Sequence, residues 1–190
     1  MRIFLLVFCF ISVMNAVERW ALEPRIAYFL PAAKLMRQMY HNGGVNPGIE
    51  ASLLVYDRLA VWANFNLFIR EGQTKGLHTN SSIQLFPISS GLKYSIKIID
   101  VLDIYFGIGP MVSWGLVHDH SVYVRQATSR VIFGVVGKSG LTYFLKTNGY
   151  FNFFADYSYG KINPIPIAGV QTHSINTGGL MVGLGIGVNF

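Results

Sequence analysis

The segment that decides the fold is INTGGLMVGLGIGVNF, residues 175–190. From residue 180 onward every second side chain is large and apolar, and the residues between them are mostly glycine. A period of two is typical of a β-strand, whose successive side chains point to opposite faces of a sheet. A soluble sandwich strand would carry polar side chains on its second face. A glycine face opposite a continuous apolar face instead predicts a strand between lipid and a narrow lumen.

Similar alternation recurs seven times before this segment. It is clearest in residues 59–69, 102–114 and 150–159, and weaker in residues 25–30, 48–55, 82–96 and 131–143. Eight strands are an even number, as a closed antiparallel bacterial barrel requires. The sequence therefore predicts an all-β fold, an eight-stranded antiparallel up-and-down transmembrane β-barrel. After residue 16 no apolar run approaches the 18 or so residues of a transmembrane helix.

The connections between the candidate strands alternate in length. Residues 56–58, 97–100 and 146–149 form tight turns, and the last contains an Asn-Gly hairpin signal. The long polar connections are residues 32–47, 71–81, 117–130 and 160–174. Outer-membrane barrels have short periplasmic turns and longer external loops. We therefore expect four external loops, with both termini on the periplasmic side.

The N-terminus predicts a cleavable signal peptide over residues 1–16, followed by a barrel domain over residues 17–190. Arg2 provides a basic start, residues 3–13 are apolar, and Ala16 marks the cleavage site. Eleven helical residues rise only about 16 Å, roughly half of a hydrocarbon core. The single cysteine, Cys9, lies in this segment, so the barrel domain has no disulfide and no thiolate metal site.

The chain from residue 24 to residue 190 resembles the small outer-membrane barrels of the OmpA transmembrane-domain, OmpX and opacity-protein type. The resemblance is carried by FPISSGLKY (86–94) and by alternate apolar residues that lead to a terminal phenylalanine: Val182, Leu184, Ile186, Val188 and Phe190. In that family the terminal pattern is read by the barrel-assembly machinery, which implies this machinery as a partner. The resemblance also implies a place in the bacterial outer membrane, among its lipids and lipopolysaccharide. The family's functions range from adhesion to limited permeation, so membership alone does not choose one.

Charged residues recur on the face that the alternation assigns to the lumen. They are Arg25, Glu50, Lys93, Asp103, Lys138 and Asp156. An eight-stranded barrel is just wide enough for side chains, and enclosed charges must be paired. Two interpretations follow: a salt-bridged plug that closes the barrel, or a gated narrow pore whose pairs rearrange.

Six basic residues fall in or beside the long connections: Lys34, Arg37, Lys75, Arg125, Arg130 and Lys161. They are suited to the phosphates of lipopolysaccharide or to acidic glycans of a host surface. A solvated basic rim without a ligand is the competing interpretation. Because the excess of basic residues lies in surface loops, we expect anionic surfaces and not nucleic acid as partners.

The motifs for metal binding and catalysis are weak. His118 and His120 flank Asp119, which is a candidate zinc or nickel site, although exposed loops commonly hold histidines. A lipid A-modifying enzyme would need converging Ser, His and acidic groups. His173, Ser174 and Asn176 do not match the arrangement of barrel deacylases. We expect no enzyme activity and no cofactor.

The expected function is therefore structural support or surface binding, as in adhesion or host interaction, through the four external loops. A narrow porin-like channel for small solutes or ions is the alternative. Trp62 falls on the inner face, and the interfacial aromatic belt is predicted to contain Tyr94, Trp114, Tyr143, Tyr157 and Tyr159.

Overall fold

The computed structural model describes residues 20–40, 42–73, 80–119, 127–162 and 175–190. In these ranges the chain forms ten β-strands and one short helix. They are β1 (Trp20–Pro31), α1 (Lys34–Met39), β2 (Gly44–Tyr56), β3 (Leu59–Asn66), β4 (Phe68–Gln73), β5 (Asn80–Ile99), β6 (Leu102–Asp119), β7 (Ala127–Phe144), β8 (Gly149–Ile162), β9 (Ile175–Asn176) and β10 (Gly179–Asn189). The sheet closes into a ring because β10 pairs antiparallel with both β1 and β8.

The ten strands make eight staves of the barrel wall. β3 and β4 form one stave that is interrupted at Leu67, and both pair with β5. β9 and β10 form another, interrupted at residues 177–178, and both pair with β8. The predicted all-β, eight-stranded antiparallel barrel is thus confirmed. β5 has 20 residues, and about 10 tilted residues cross a bilayer, so this stave projects beyond it.

The outer connections are shorter than the sequence analysis predicts. β2 already begins at Gly44, and α1 lies within the predicted first loop. β6 continues to Asp119 and β7 begins at Ala127, so seven of the 14 residues in the predicted loop over residues 117–130 are strand. Backbone pairing does not depend on apolar side chains, so the ladder continues where the strands leave the bilayer and become polar. Three tight connections lie at the other end, as predicted, but β5 continues to Ile99, so the second turn is residues 100–101 and not 97–100.

Side chains alternate between the lipid-facing wall and the lumen, as the period of two predicts. The alternate apolar residues of the last strand are all exposed on the outside of the wall: Val182, Leu184, Ile186, Val188 and, just after β10, Phe190. The Phe190 amide donates to the Trp20 carbonyl oxygen at 2.7 Å. The predicted belt residues are also exposed on the outside: Tyr94, Trp114, Tyr143, Tyr157 and Tyr159. Trp62 is only 1% exposed and lies inside the barrel.

The predicted signal peptide, residues 1–16, lies outside the described residues and stays a prediction. Among the residues that the structure describes, no helix is long and apolar enough to cross a membrane. The core of the protein is accordingly the barrel interior, where side chains from all eight staves meet.

Candidate functional site

A cluster of charged side chains fills the middle of the lumen, and Glu50 on β2 is its centre. Glu50 Oε2 lies 2.8 Å from Arg25 Nη1, and Glu50 Oε1 lies 3.0 Å from Lys93 Nζ. Lys138 Nζ is a third partner, on Glu50 Oε2. One buried carboxylate therefore joins cations from three different staves.

Two further carboxylates balance the cluster. Asp156 Oδ2 lies 3.2 Å from Arg25 Nη1 and 3.4 Å from Lys138 Nζ. Glu23 Oε1 lies 3.0 Å from Arg25 Nε and accepts a hydrogen bond of 2.8 Å from Asn152. Three acids thus face three bases, and the enclosed charge is neutral. Glu23 is absent from the predicted network because the predicted first strand begins at residue 25. The same alternation, continued two residues toward the N-terminus, places Glu23 on the inner face.

Aromatic rings line the charged cluster. The Arg25 guanidinium carbon lies 3.5 Å from the centre of the Phe154 ring. Lys138 Nζ lies 4.3 Å from the centre of the Trp62 ring, and Lys93 Nζ lies 5.1 Å from that of Tyr105. A cation over an aromatic face is attracted by the ring quadrupole, more strongly when water is excluded. These rings therefore stabilise the cations and fill the space between them.

Glycines on the inner face of β10 make the room for this packing. A Cβ atom at Gly187 would lie 2.0 Å from Tyr150 Cζ, and one at Gly185 would lie 2.3 Å from Glu23 Oε1. Only hydrogen fits at these positions if the ring and the carboxylate are to stay in place. The glycine face that predicted a narrow lumen therefore makes room for large side chains of the two neighbouring strands, β1 and β8.

An apolar layer, here called the lid, closes the lumen above the charged cluster toward the outer end. Its buried residues come from five strands and from α1 with the residue that follows it: Phe29, Phe68, Ile83, Leu85, Ile132, Met181, Met36 and Tyr40. The hydroxyl groups of Tyr40 and Ser81 are hydrogen-bonded at 3.2 Å. Between the lid and the cluster lies a cavity of about 30 Å³, which is room for about one water molecule. The lumen is thus filled at two levels.

At the inner end, where the tight turns lie, the lumen opens into a cavity of about 680 Å³ that we call the vestibule. Asp103 lines it. The sequence analysis placed this residue in the charged network, but it forms no ion pair with the cluster in the described part of the chain. Asp103 is the second residue of β6, so it lies closer to the β5–β6 turn than Tyr105 and therefore below the cluster. The other five predicted residues, Arg25, Glu50, Lys93, Lys138 and Asp156, meet in the cluster.

Four of the six basic residues predicted for loop binding lie at the outer end of the barrel. Lys34 and Arg37 are on α1, Arg130 is exposed on β7, and Lys161 is exposed on β8. Lys161 Nζ lies 5.5 Å from the centre of the Tyr159 ring. Lys75 and Arg125 lie outside the described residues, as do His120 and the side chain of His118. In the part of the chain that is described, no group of three potential metal ligands occurs.

The charges of residues 17–190 are divided unevenly between the two ends. By position in the chain, the outer end has seven basic residues (Lys34, Arg37, Arg70, Lys75, Arg125, Arg130 and Lys161) and two acidic ones (Glu71 and Asp119). The inner end has three of each: Arg58, Lys97 and Lys146 with Asp57, Asp100 and Asp103. Glu18 and Arg19 cancel, and so do the six charges of the cluster. The positive excess of the sequence therefore falls in the segments that are predicted to be external, of which Lys75 and Arg125 lie outside the described residues.

The inner-end charges pair with each other at the surface. Lys97 Nζ lies 2.8 Å from Asp100 Oδ1 in the β5–β6 turn, where both side chains are well exposed. The hydrogen bond from Lys97 lowers the pKa of Asp100, and the charge of Lys97 adds to this effect. Water screens such an exposed pair, so it contributes little to stability.

No protein-family model and no curated protein matches the chain. The crystal structure of Neisserial surface protein A (NspA) matches with a TM-score of 0.67 at 14% identity, over 90% of this chain and 97% of that one. OprG from Pseudomonas aeruginosa matches with a TM-score of 0.64 at 16% identity, over 92% and 96%. Ail of Yersinia pestis, in complex with the heparin analogue sucrose octasulfate, matches with a TM-score of 0.56 at 13% identity, over 89% and 97%.

These likenesses confirm the resemblance seen in the sequence. The chain has the fold of the small eight-stranded bacterial outer-membrane β-barrels. The continuous apolar wall and the aromatic belt are those of a bacterial outer-membrane protein.

Proposed function

We propose that this chain is a non-catalytic surface-binding protein, whose barrel holds a basic outer end against anionic ligands. The observation that carries the proposal is the charge separation. Among the described residues, five basic residues lie at the outer end with only two acidic ones, Glu71 and Asp119, whereas the lumen and the inner end are neutral. A local excess of one sign attracts ligands of the other sign and speeds their encounter.

The filled lumen supports binding over permeation. The charged cluster and the lid occupy the lumen at two successive levels, and each contains residues from several staves. An ion that passed would have to separate buried pairs and then cross an apolar layer. A binding surface at the outer end needs no such opening, because the loops stay exposed while the barrel stays closed.

The expected ligands are sulfated or phosphorylated polymers, such as acidic glycans of a host surface or lipopolysaccharide. The Ail structure contains a heparin analogue, and an anionic ligand of this kind suits the basic outer end proposed here. Arginine and lysine recognise sulfate and phosphate through charge-assisted hydrogen bonds. Several weak exposed contacts give a useful affinity only when they act together, so we expect binding to a polyanion and not to isolated sulfate.

Binding of sucrose octasulfate to the refolded protein in detergent micelles tests this proposal. The variant with Lys34→Gln, Arg130→Gln and Lys161→Gln removes three exposed charges from the outer end. We expect its Kd to rise about tenfold, which corresponds to roughly 1.4 kcal/mol spread over three contacts. Binding of the unchanged protein should weaken as salt is added, because exposed charges are screened over about 8 Å at physiological ionic strength.

A variant with Arg58→Gln, Lys97→Gln and Lys146→Gln is the matched control. It removes the same number of exposed charges from the inner end, and its Kd should stay that of the unchanged protein. Equal loss of binding in both variants would contradict the proposal, because net charge alone would then explain the affinity. No binding by the unchanged protein would contradict it as well.

Conductance in a planar lipid bilayer tests the alternative of a channel. We expect the refolded protein to give no steady ion-selective openings, because the cluster and the lid both close the lumen. Heat-modifiable gel mobility of the same sample establishes that the barrel is folded. Steady openings that change in selectivity in a Lys93→Met variant would show instead that the lumen conducts.

A further inference from the structure

The vestibule at the inner end is a large cavity whose lining is partly polar. Its volume of about 680 Å³ is within the range of small-molecule binding sites, roughly 300–1,000 Å³. Lys93, Tyr105 and Tyr150 line its deep end, and Asn152 donates a hydrogen bond of 3.1 Å to the Tyr105 hydroxyl behind them. The vestibule is therefore a cup with a closed floor and not the entrance of a pore.

Hydroxyl and amide groups surround this cup. They belong to the side chains of Ser52, Ser95, Thr142, Thr147, Asn148 and Asn189. Within the described residues, Ser52, Ser95, Thr142 and Asn189 make no side-chain hydrogen bond to other protein groups. Their donors and acceptors are thus available to a ligand that offers several hydrogen-bonding groups at short intervals.

Charged and aromatic groups complete the lining. Asp103 lies opposite Thr142 in the β6–β7 ladder, and Arg58 lies on the rim. Phe144, Tyr105 and Tyr150 place aromatic rings on the same cup. Hydroxyls, amides and a carboxylate beside aromatic rings suit a sugar, which has polar edges and apolar ring faces.

We propose that the vestibule binds an N-acetylated amino-sugar glycan. Asp103 accepts hydrogen bonds from sugar hydroxyls, and the amides of Asn148 and Asn189 bind the acetamido group. Arg58 binds a carboxylate that is attached to the glycan. Because the inner end has equal numbers of acidic and basic residues, a polyanion is not attracted there, and the polar lining disfavours a purely apolar ligand.

The probe is the soluble disaccharide–dipeptide N-acetylglucosaminyl-N-acetylmuramyl dipeptide, titrated into isotope-labelled protein refolded in micelles. Amide shifts at residues 95, 103, 142 and 189 are the readout. The variants Asp103→Asn and Asn189→Ala should each raise the Kd about tenfold while heat-modifiable mobility is kept. Arg130→Gln, at the opposite end, should leave the Kd unchanged.

Saturable shifts in these residues that both vestibule variants weaken would support the proposal. It would be overturned by absence of shifts up to about 10 mM, tenfold above the roughly millimolar Kd expected for such a cup. Equal shifts with maltose, which has no acetamido group, would overturn the assignment to amino sugars. The outcome is independent of the outer-end proposal, since the ligand and the end of the barrel both differ.

Discussion

The variant Glu50→Gln is expected to lose about 3–5 kcal/mol of unfolding free energy, the cost of breaking a buried ion pair by removing one partner. Glu50 joins Arg25, Lys93 and Lys138, so its neutralisation leaves one buried positive charge without compensation. The measurement is the urea midpoint of refolded protein, followed by heat-modifiable gel mobility.

The exposed pair of Lys97 and Asp100 provides the control for this prediction. Asp100→Asn also removes a carboxylate from a lysine at hydrogen-bond distance, but it should leave the urea midpoint unchanged because water screens the pair. The double variant Glu50→Gln with Lys138→Met restores neutrality in the lumen. It should be less destabilised than Glu50→Gln alone, a coupling expected of residues in one network. If the urea midpoint of Glu50→Gln equals that of Asp100→Asn, the claim that the charged cluster stabilises the closed barrel would be refuted.

The second large effect is expected for Gly187→Val. Its Cβ atom would lie 2.0 Å from Tyr150 Cζ, inside a lumen that is already packed. Overpacking a core costs roughly 1–3 kcal/mol, and we expect a cost in this range because the Tyr150 ring must leave its packed position to make room for the new side chain. The readouts are the refolding yield and the urea midpoint.

Gly137→Val on β7 is the matched control. No atom lies within 4 Å of a Cβ placed at Gly137, so the same substitution there should leave refolding intact. Tyr150→Ala should partly relieve the defect of Gly187→Val, so that the double variant is less destabilised than the sum of the single variants. Normal refolding of Gly187→Val would show that the ring and the glycine are not in contact in solution.

Much of the barrel fold could be predicted from the local alternation of apolar and polar residues. The period of two in residues 59–69, 102–114 and 150–159 assigned nearly every side chain to its face, including Trp62 to the lumen. This works because a strand in a lipid-facing wall meets only two environments, and each residue must suit one of them. The outer connections were harder to predict, because strands that leave the bilayer become polar and resemble loops.

The site depended on the register between staves, which no single strand contains. Five of the six predicted lumen charges meet in one cluster, but Glu23 joins them and Asp103 does not. Their heights in the barrel are determined by the pairings β1–β2 and β6–β7 and not by their own segments. The lid likewise depends on α1, which covers the outer end of the lumen. The sequence of α1 did not indicate this position.

The sequence by itself determined the strand period, the face of each side chain, the number of staves and the excess of positive charge. These are local properties, because lipid on one side and a narrow lumen on the other select each residue in turn. Only the tertiary structure decided which charges pair, where the lumen is filled, and that a polar vestibule lies at the inner end. These properties depend on side chains that are far apart in the sequence and that come together only when the barrel has closed.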